Sequence, residues 1–423
     1  MGKKKPHIVT WVILVIAVCV GGWTLARPHT DTTLLLSDAC RMRDLAKVKS
    51  LLEAEPSLAT ALEERTGGPI LHEAVRGGEQ AIVGQLLAKG ADVNVADKHG
   101  LTPLQLAMQT GQSDLALFLI EKGANASAPD KAGVTPLHWA AQEGLPEVAE
   151  ALIAKGAKVN ADDGSAGTPL HQAAYNGFLK VVDVLLSKGA DVKATNKTGL
   201  TPLLAAAQGG RPDVLVRLLQ QGADIRAKDK DGTSALHLAA NAGDTDTAEV
   251  LLAKGMDINV RDSFNTTPLH RAARFGQAKM VAFLVAHKAS INALDNDGLT
   301  PLFLTAQFGN DEAAQMLITS GSDPKVKDHF GTTPLHRAAN AGQGKLVSLL
   351  LAYGVNINAK DKTGRTPLHK AVEGNHWDVA EFLILKGADA NARDQQGYTP
   401  LHIAKGVKAQ ATIDILQKYK AVE

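Results

Sequence analysis

The sequence predicts an all-α solenoid, a row of short helix pairs stacked one on the next and preceded by a single apolar transmembrane helix. Three observations carry this. A tetrapeptide of the form Thr-Pro-Leu-His recurs, and its leucine keeps one step without insertion or deletion: Leu71, Leu104, Leu137, Leu170, Leu203, Leu236, Leu269, Leu302, Leu335, Leu368 and Leu401 are evenly spaced. Within each unit, helix-starting and helix-ending residues bracket apolar residues at helical spacing. The composition is 45% hydrophobic but only 4% aromatic, which supplies the Ala, Leu and Val core that thin helices need. Helices this short cannot stand alone, and a pair buries its apolar face only against the next pair.

In chain order, residues 1–7 form a basic N-terminus with Lys3, Lys4 and Lys5. Residues 8–26 are apolar apart from Thr10 and Thr24, just long enough to cross a bilayer as a helix, with Trp11 and Trp23 placed for the two interfaces. A cleaved signal sequence is the rival reading, with Thr24-Leu25-Ala26 as its small-residue end. The lysines precede the run in both cases. The N-terminus is therefore expected to be cytoplasmic and the remainder exported: a single-pass membrane protein with a periplasmic repeat domain, or a secreted one if the segment is cleaved. Residues 27–32 are a short linker. Cys19 lies in the apolar run and Cys40 beyond it, so no disulfide between them is expected and stability has to come from stacking.

Residues 33–66 keep the leucine pattern (Leu36, Ala39, Leu45, Leu51, Leu52) without Thr-Pro and read as an N-terminal cap. Residues 67–423 hold eleven repeats of constant length, the last a C-terminal cap in which glycine gives way to Lys408 and Lys420. The unit from Asp130 shows the logic. Thr135 caps the first helix with its hydroxyl, and Pro136 sits where a missing N–H costs nothing. Gly144 suits the left-handed turn that ends this helix. Val148, Leu152 and Ile153 mark the apolar face of a second helix, which closes at Lys155-Gly156, with a polar Asp- and Asn-cornered turn beyond. Pairs such as Ala140-Ala141 and Ala272-Ala273 let first helices pack closely.

A 33-residue period carrying Thr-Pro-Leu-His resembles the ankyrin-repeat family over nearly everything from about Thr33 onward. The resemblance implies an ankyrin solenoid with short turn tips, a concave face of inner helices on which partners lie, and recognition of proteins rather than chemistry. It also implies a structural role for the repeat histidine (His72, His138, His171, His237, His270, His336, His369, His402), as a hydrogen-bonding residue between loop and helix.

The residues agree. Successive repeat histidines lie a whole repeat apart, too far to share a zinc ion. His-Glu-x-x-His, Cys-x-x-Cys, a phosphate loop and Gly-x-Ser-x-Gly are all absent from the sequence, and Asp and Glu fall at turn corners and solvated faces. No catalytic, cofactor-binding or metal-binding residue is nominated. With 45 basic against 44 acidic residues and no basic block beyond the N-terminal lysines, nucleic acid is not an expected partner. An unidentified, membrane-proximal protein is.

Departures from the repeat locate the candidate surface. Six of nine phenylalanines fall between Phe264 and Phe330. Phe264 and Phe330 stand at turn tips, Phe275 and Phe308 precede the glycine of an inner helix, Phe303 replaces the repeat histidine, and Phe283 reads as core. Asn265 and Lys288 replace turn glycines and Thr305 replaces an alanine. Arg271, Arg274 and Arg337 are expected to project, exposed, from the same inner helices, giving the aromatic and arginine mixture enriched at interface hot spots. Trp139 and Tyr175, on successive repeats, form a second, smaller candidate patch.

Overall fold

The structure is a computed structural model that describes residues 32–63 and 67–423. The proposed membrane span or signal sequence, residues 8–26, lies outside the described residues, and among these no helix is long and apolar enough to cross a membrane. The described residues contain twenty-four α-helices and one 3-10 turn, Pro56–Thr60. They contain no strand, only isolated bridges at Leu62 with Pro69 and at Lys228 with Ser234. The described residues are therefore all-α, built of solenoid repeats.

Two compact units divide the chain, one ending at Asn125 and the other running Ala126–Glu423. The first holds the cap, whose helices are Thr32–Arg41 and Leu45–Ala54, and the repeats whose inner helices are Ile70–Gly77 and Pro103–Gln109. The second holds nine repeats, from the inner helix Pro136–Glu143 to the final pair Pro400–Gly406 and Gln410–Lys418. Within each unit an inner helix packs on the next inner helix as well as on its own outer helix, so the core is continuous along the stack. Ten of the eleven period-marking leucines are at most 1% exposed and Leu401 is 4% exposed. Burying a leucine is worth roughly 2 kcal/mol, so each step of the period stabilises the stack in its own right. The alanine pairs Ala140-Ala141, Ala173-Ala174 and Ala272-Ala273 are fully buried where inner helices meet.

Helix ends follow their residues. Thr135 caps the inner helix through its side chain, Pro136 opens it, and Gly144 closes it at φ 72°, ψ 43°. The rule-breaking positions adopt the same backbone as the glycines they replace: Asn265 has φ 63°, Lys288 φ 66°, Lys408 φ 56° and Lys420 φ 59°. Lys288 holds the place of Gly189, whose φ is 86° and around which a Cβ would meet nothing within 4 Å. The penalty at this turn is then backbone strain alone. Lys288→Gly is expected to raise stability, and Gly189→Val to lower it, each by about 1–2 kcal/mol. Urea midpoints moving the same way in both variants would refute the strain argument.

Candidate functional site

The repeat histidines tie neighbouring repeats together. In six repeats of the second unit, a Thr or Ser ahead of the inner helix donates its backbone N–H to the histidine Nδ1, as Thr135 does to His138 at 3.2 Å and Thr366 to His369 at 3.1 Å. Nδ1 is thereby the acceptor, which leaves Nε2 protonated. Nε2 donates across to a carbonyl of the following repeat, from His138 to Gly167 at 2.9 Å and from His270 to Leu299 at 3.0 Å. Burial pushes these imidazoles down from 6.5, in His237 and His336 to about 4, so they stay neutral. Elsewhere Cys40 is buried, which pushes its thiol up to about 12. Among the described residues no group of three or more His, Cys, Asp or Glu side chains is placed to hold a metal.

Phe264 and Arg271 belong to one small device. Asp262 Oδ1 accepts the backbone N–H of Phe264 at 3.0 Å and of Thr266 at 2.9 Å, fixing the turn that carries the aromatic tip. Its Oδ2 accepts the Thr266 hydroxyl and, at 2.6 Å, the Arg271 guanidinium. Burial opposes ionisation of Asp262, but the hydrogen bonds from Thr266 and Arg271 together outweigh it and hold the carboxyl below its usual range. The device recurs two repeats further along. Asp328 accepts the Phe330 and Thr332 amides, the Thr332 hydroxyl, and the Arg337 guanidinium at 3.0 Å.

Two expectations need correcting here. Arg271 and Arg337 do not project freely; their side chains are 18% and 32% exposed and are pinned to carboxylates that are fully buried. Their place on the inner helix faces the turn, where a buried carboxylate nine residues back captures them. Arg271→Ala would therefore unsettle the tip as well as any binding surface. Phe283, read as core, is only partly buried and lies against His287 with ring centroids 4.2 Å apart.

The remaining candidates are accessible. Phe264 is 57%, Phe275 52%, Phe308 44% and Phe330 62% exposed. Arg274 is exposed, and its guanidinium lies 5.1 Å over the Phe308 ring and 5.9 Å from Phe275, a cation–π arrangement between successive inner helices. Phe264, Arg271, Arg274 and Phe308 line one cavity of about 300 Å³, together with Leu299 and Leu304. Phe330 and Arg337 line an equivalent cavity of about 390 Å³ with Lys362, Arg365 and Lys370. The last three were not singled out by the sequence, although they occupy the tip, turn and inner-helix positions of the repeat after Phe330.

Trp139 and Tyr175 are less closely joined. Tyr175 is exposed, whereas Trp139 is half-buried and its indole N–H is enclosed with no hydrogen-bond partner among the described residues. No ring contact links the two. Phe303 is core, 1% exposed among Leu299, Leu304 and Val326.

Comparison with known families finds matches to "Ankyrin repeats (3 copies)" at residues 36–130, 71–163, 126–196, 170–262, 257–328, 302–394 and 335–421. The chain belongs to the ankyrin-repeat family, a protein–protein interaction scaffold whose members are generally non-enzymatic. A search of curated proteins gives no match.

Proposed function

We propose that the chain is a non-enzymatic recognition scaffold, tethered to a membrane through residues 8–26, that receives a partner protein on the inner-helix and tip surface between Phe264 and Lys370. The observation that carries the reading is the Arg274 guanidinium stacked on the exposed Phe308 ring at the mouth of a cavity. Exposed aromatic surface next to an arginine that has no carboxylate partner among the described residues is the composition of an interface anchor rather than of a solvated face. The tether and the export of the repeats rest on the sequence, from Lys3, Lys4 and Lys5 ahead of a membrane-length apolar run. With so short a linker, the partner is a membrane-proximal protein on the far side, periplasmic in a bacterium. A cleaved N-terminus would instead make this a secreted binder of a foreign protein, and the mass of the mature N-terminus distinguishes the two.

Affinity capture from a membrane extract with the full chain tests the surface. Phe264→Ala with Phe330→Ala is expected to weaken capture at least about thirtyfold, since hot-spot truncations cost about 2 kcal/mol or more each. Both side chains are exposed, so the melting temperature should move by no more than a few degrees. Capture that survives this pair but is lost on Trp139→Ala with Tyr175→Ala would move the interface to the other patch.

A further inference from the structure

The two cavities occupy the same place in repeats two apart. Phe264 and Phe330, Thr266 and Thr332, His270 and His336, and Arg271 and Arg337 are equivalent pairs and line their cavities alike. The repeat between them lacks the device, with Asp297 at the tip and Leu304 in the arginine's place. What differs is the chemistry of the walls. The first cavity has Phe264, Leu299, Leu304 and Phe308, with Arg271 paired to Asp262 and with Asp295 and Asp297 also in its wall. The second has Arg337, Lys362, Arg365 and Lys370, of which Arg337 is already paired with Asp328. Arg365 pairs with Glu373 and Asp394 and Lys370 with Glu373 and Asp361, but Lys362 is exposed and makes no ion pair among the described residues.

We propose that these cavities are the two halves of one docking site for an extended segment of a partner protein, carrying a large apolar side chain and, five or six residues away, an aspartate or glutamate. This deepens the recognition reading above and rests on it. The spacing follows from geometry. Packed helices lie about 8–10 Å apart, so two repeats span about 16–20 Å, and an extended chain covers that in five or six residues at about 3.3 Å each. The extended form follows from the distance: five or six extended residues reach both cavities, whereas a helix, rising about 1.5 Å per residue, would need about eleven to thirteen and would have to present both side chains on one face. The apolar residue matches the first cavity and the acid matches Lys362.

Panning a random dodecapeptide phage library on the full-length protein in detergent micelles tests this. Enriched sequences should carry a large apolar residue and an acid five or six positions apart. A synthetic peptide of that sequence should lose at least tenfold in affinity when the spacing is shortened by three residues. Phe308→Ala should lower its affinity at least tenfold. Lys362→Glu should do the same, and a peptide with lysine in place of its acid should recover part of that loss. Enriched peptides without this spacing, or indifferent to both variants, would overturn the proposal. So would a library that yields nothing while the natural partner is still captured in a Phe264- and Phe330-dependent way, and that result would leave the recognition reading standing.

Discussion

Lowering the pH from 7 to 5 should cost the stack about 4 kcal/mol through His237 and His336 alone, because each loses about 2 kcal/mol when its folded pKa is near 4 and its unfolded pKa near 6.5. Burial is the main cause in both, outweighing the hydrogen bond to the carbonyl across the repeat. The sign follows from proton counting. Between these two pKa values the unfolded chain binds more protons than the folded one, so stability is full above about 6.5 and falls as the pH drops towards 4. His72, His138, His171, His270 and His369 are shifted in the same direction for the same leading reason and steepen the loss.

A second loss follows at lower pH. Burial opposes ionisation of Asp262, Asp328, Asp361 and Asp394, yet the hydrogen bonds they accept outweigh it and hold their carboxyls below 3.8. Their contribution is present above that value and is lost only as the pH falls below it. The chain contains its own control for the histidine part. Gln105 stands at the repeat-histidine position and caps the same way, its side-chain oxygen accepting the Thr102 amide at 2.9 Å. His237→Gln with His336→Gln should therefore keep the cap and flatten the pH dependence of the urea midpoint between 7 and 5. An unchanged slope would assign the acid sensitivity to other groups.

Much of this was readable from residue order. The leucine step, the Thr-Pro starts and the glycine ends place every repeat after the cap, because the leucine recurs eleven times and each of the other signals in nine of those repeats. Even the positive φ of Asn265 and Lys288 could be read, since each occupies a glycine slot in an otherwise rigid period. What the period conceals is contact between different slots of one unit. Asp262 and Arg271 are nine residues apart, and an aspartate at that slot occurs in most repeats, so only the coincidence of Asp, Thr at the fourth place and Arg at the ninth marks the pairs at 262 and 328. The helix face alone places these arginines outside, but the turn folds back over that face and its carboxylate holds them. The place of Lys362 in the second cavity is hidden for a related reason, since it is an ordinary surface residue until the tip of Phe330 lies beside it.

Phe303→Ala should produce the largest single-residue loss of stability, about 3–5 kcal/mol, as expected for emptying the space of a fully buried phenylalanine. The position explains why an aromatic is tolerated there at all. In most other repeats a histidine fills this slot and bonds the hydroxyl ahead of it, whereas here the Thr300 hydroxyl is buried with no partner among the described residues. The repeat has exchanged a hydrogen-bonded link for an apolar cluster with Leu299, Leu304 and, from the next tip, Val326. Stacked repeats are stabilised by nearest-neighbour interfaces, so weakening this one should separate an early unfolding step of the repeats after Phe303 from the rest. Phe303→His gives the Thr300 hydroxyl a partner and nearly fills the space, and its loss should be clearly smaller than that of the alanine variant. If Phe303→Ala instead left the urea transition unchanged and weakened partner capture, Phe303 would belong to the binding surface and the apolar cluster would not be holding these two repeats together.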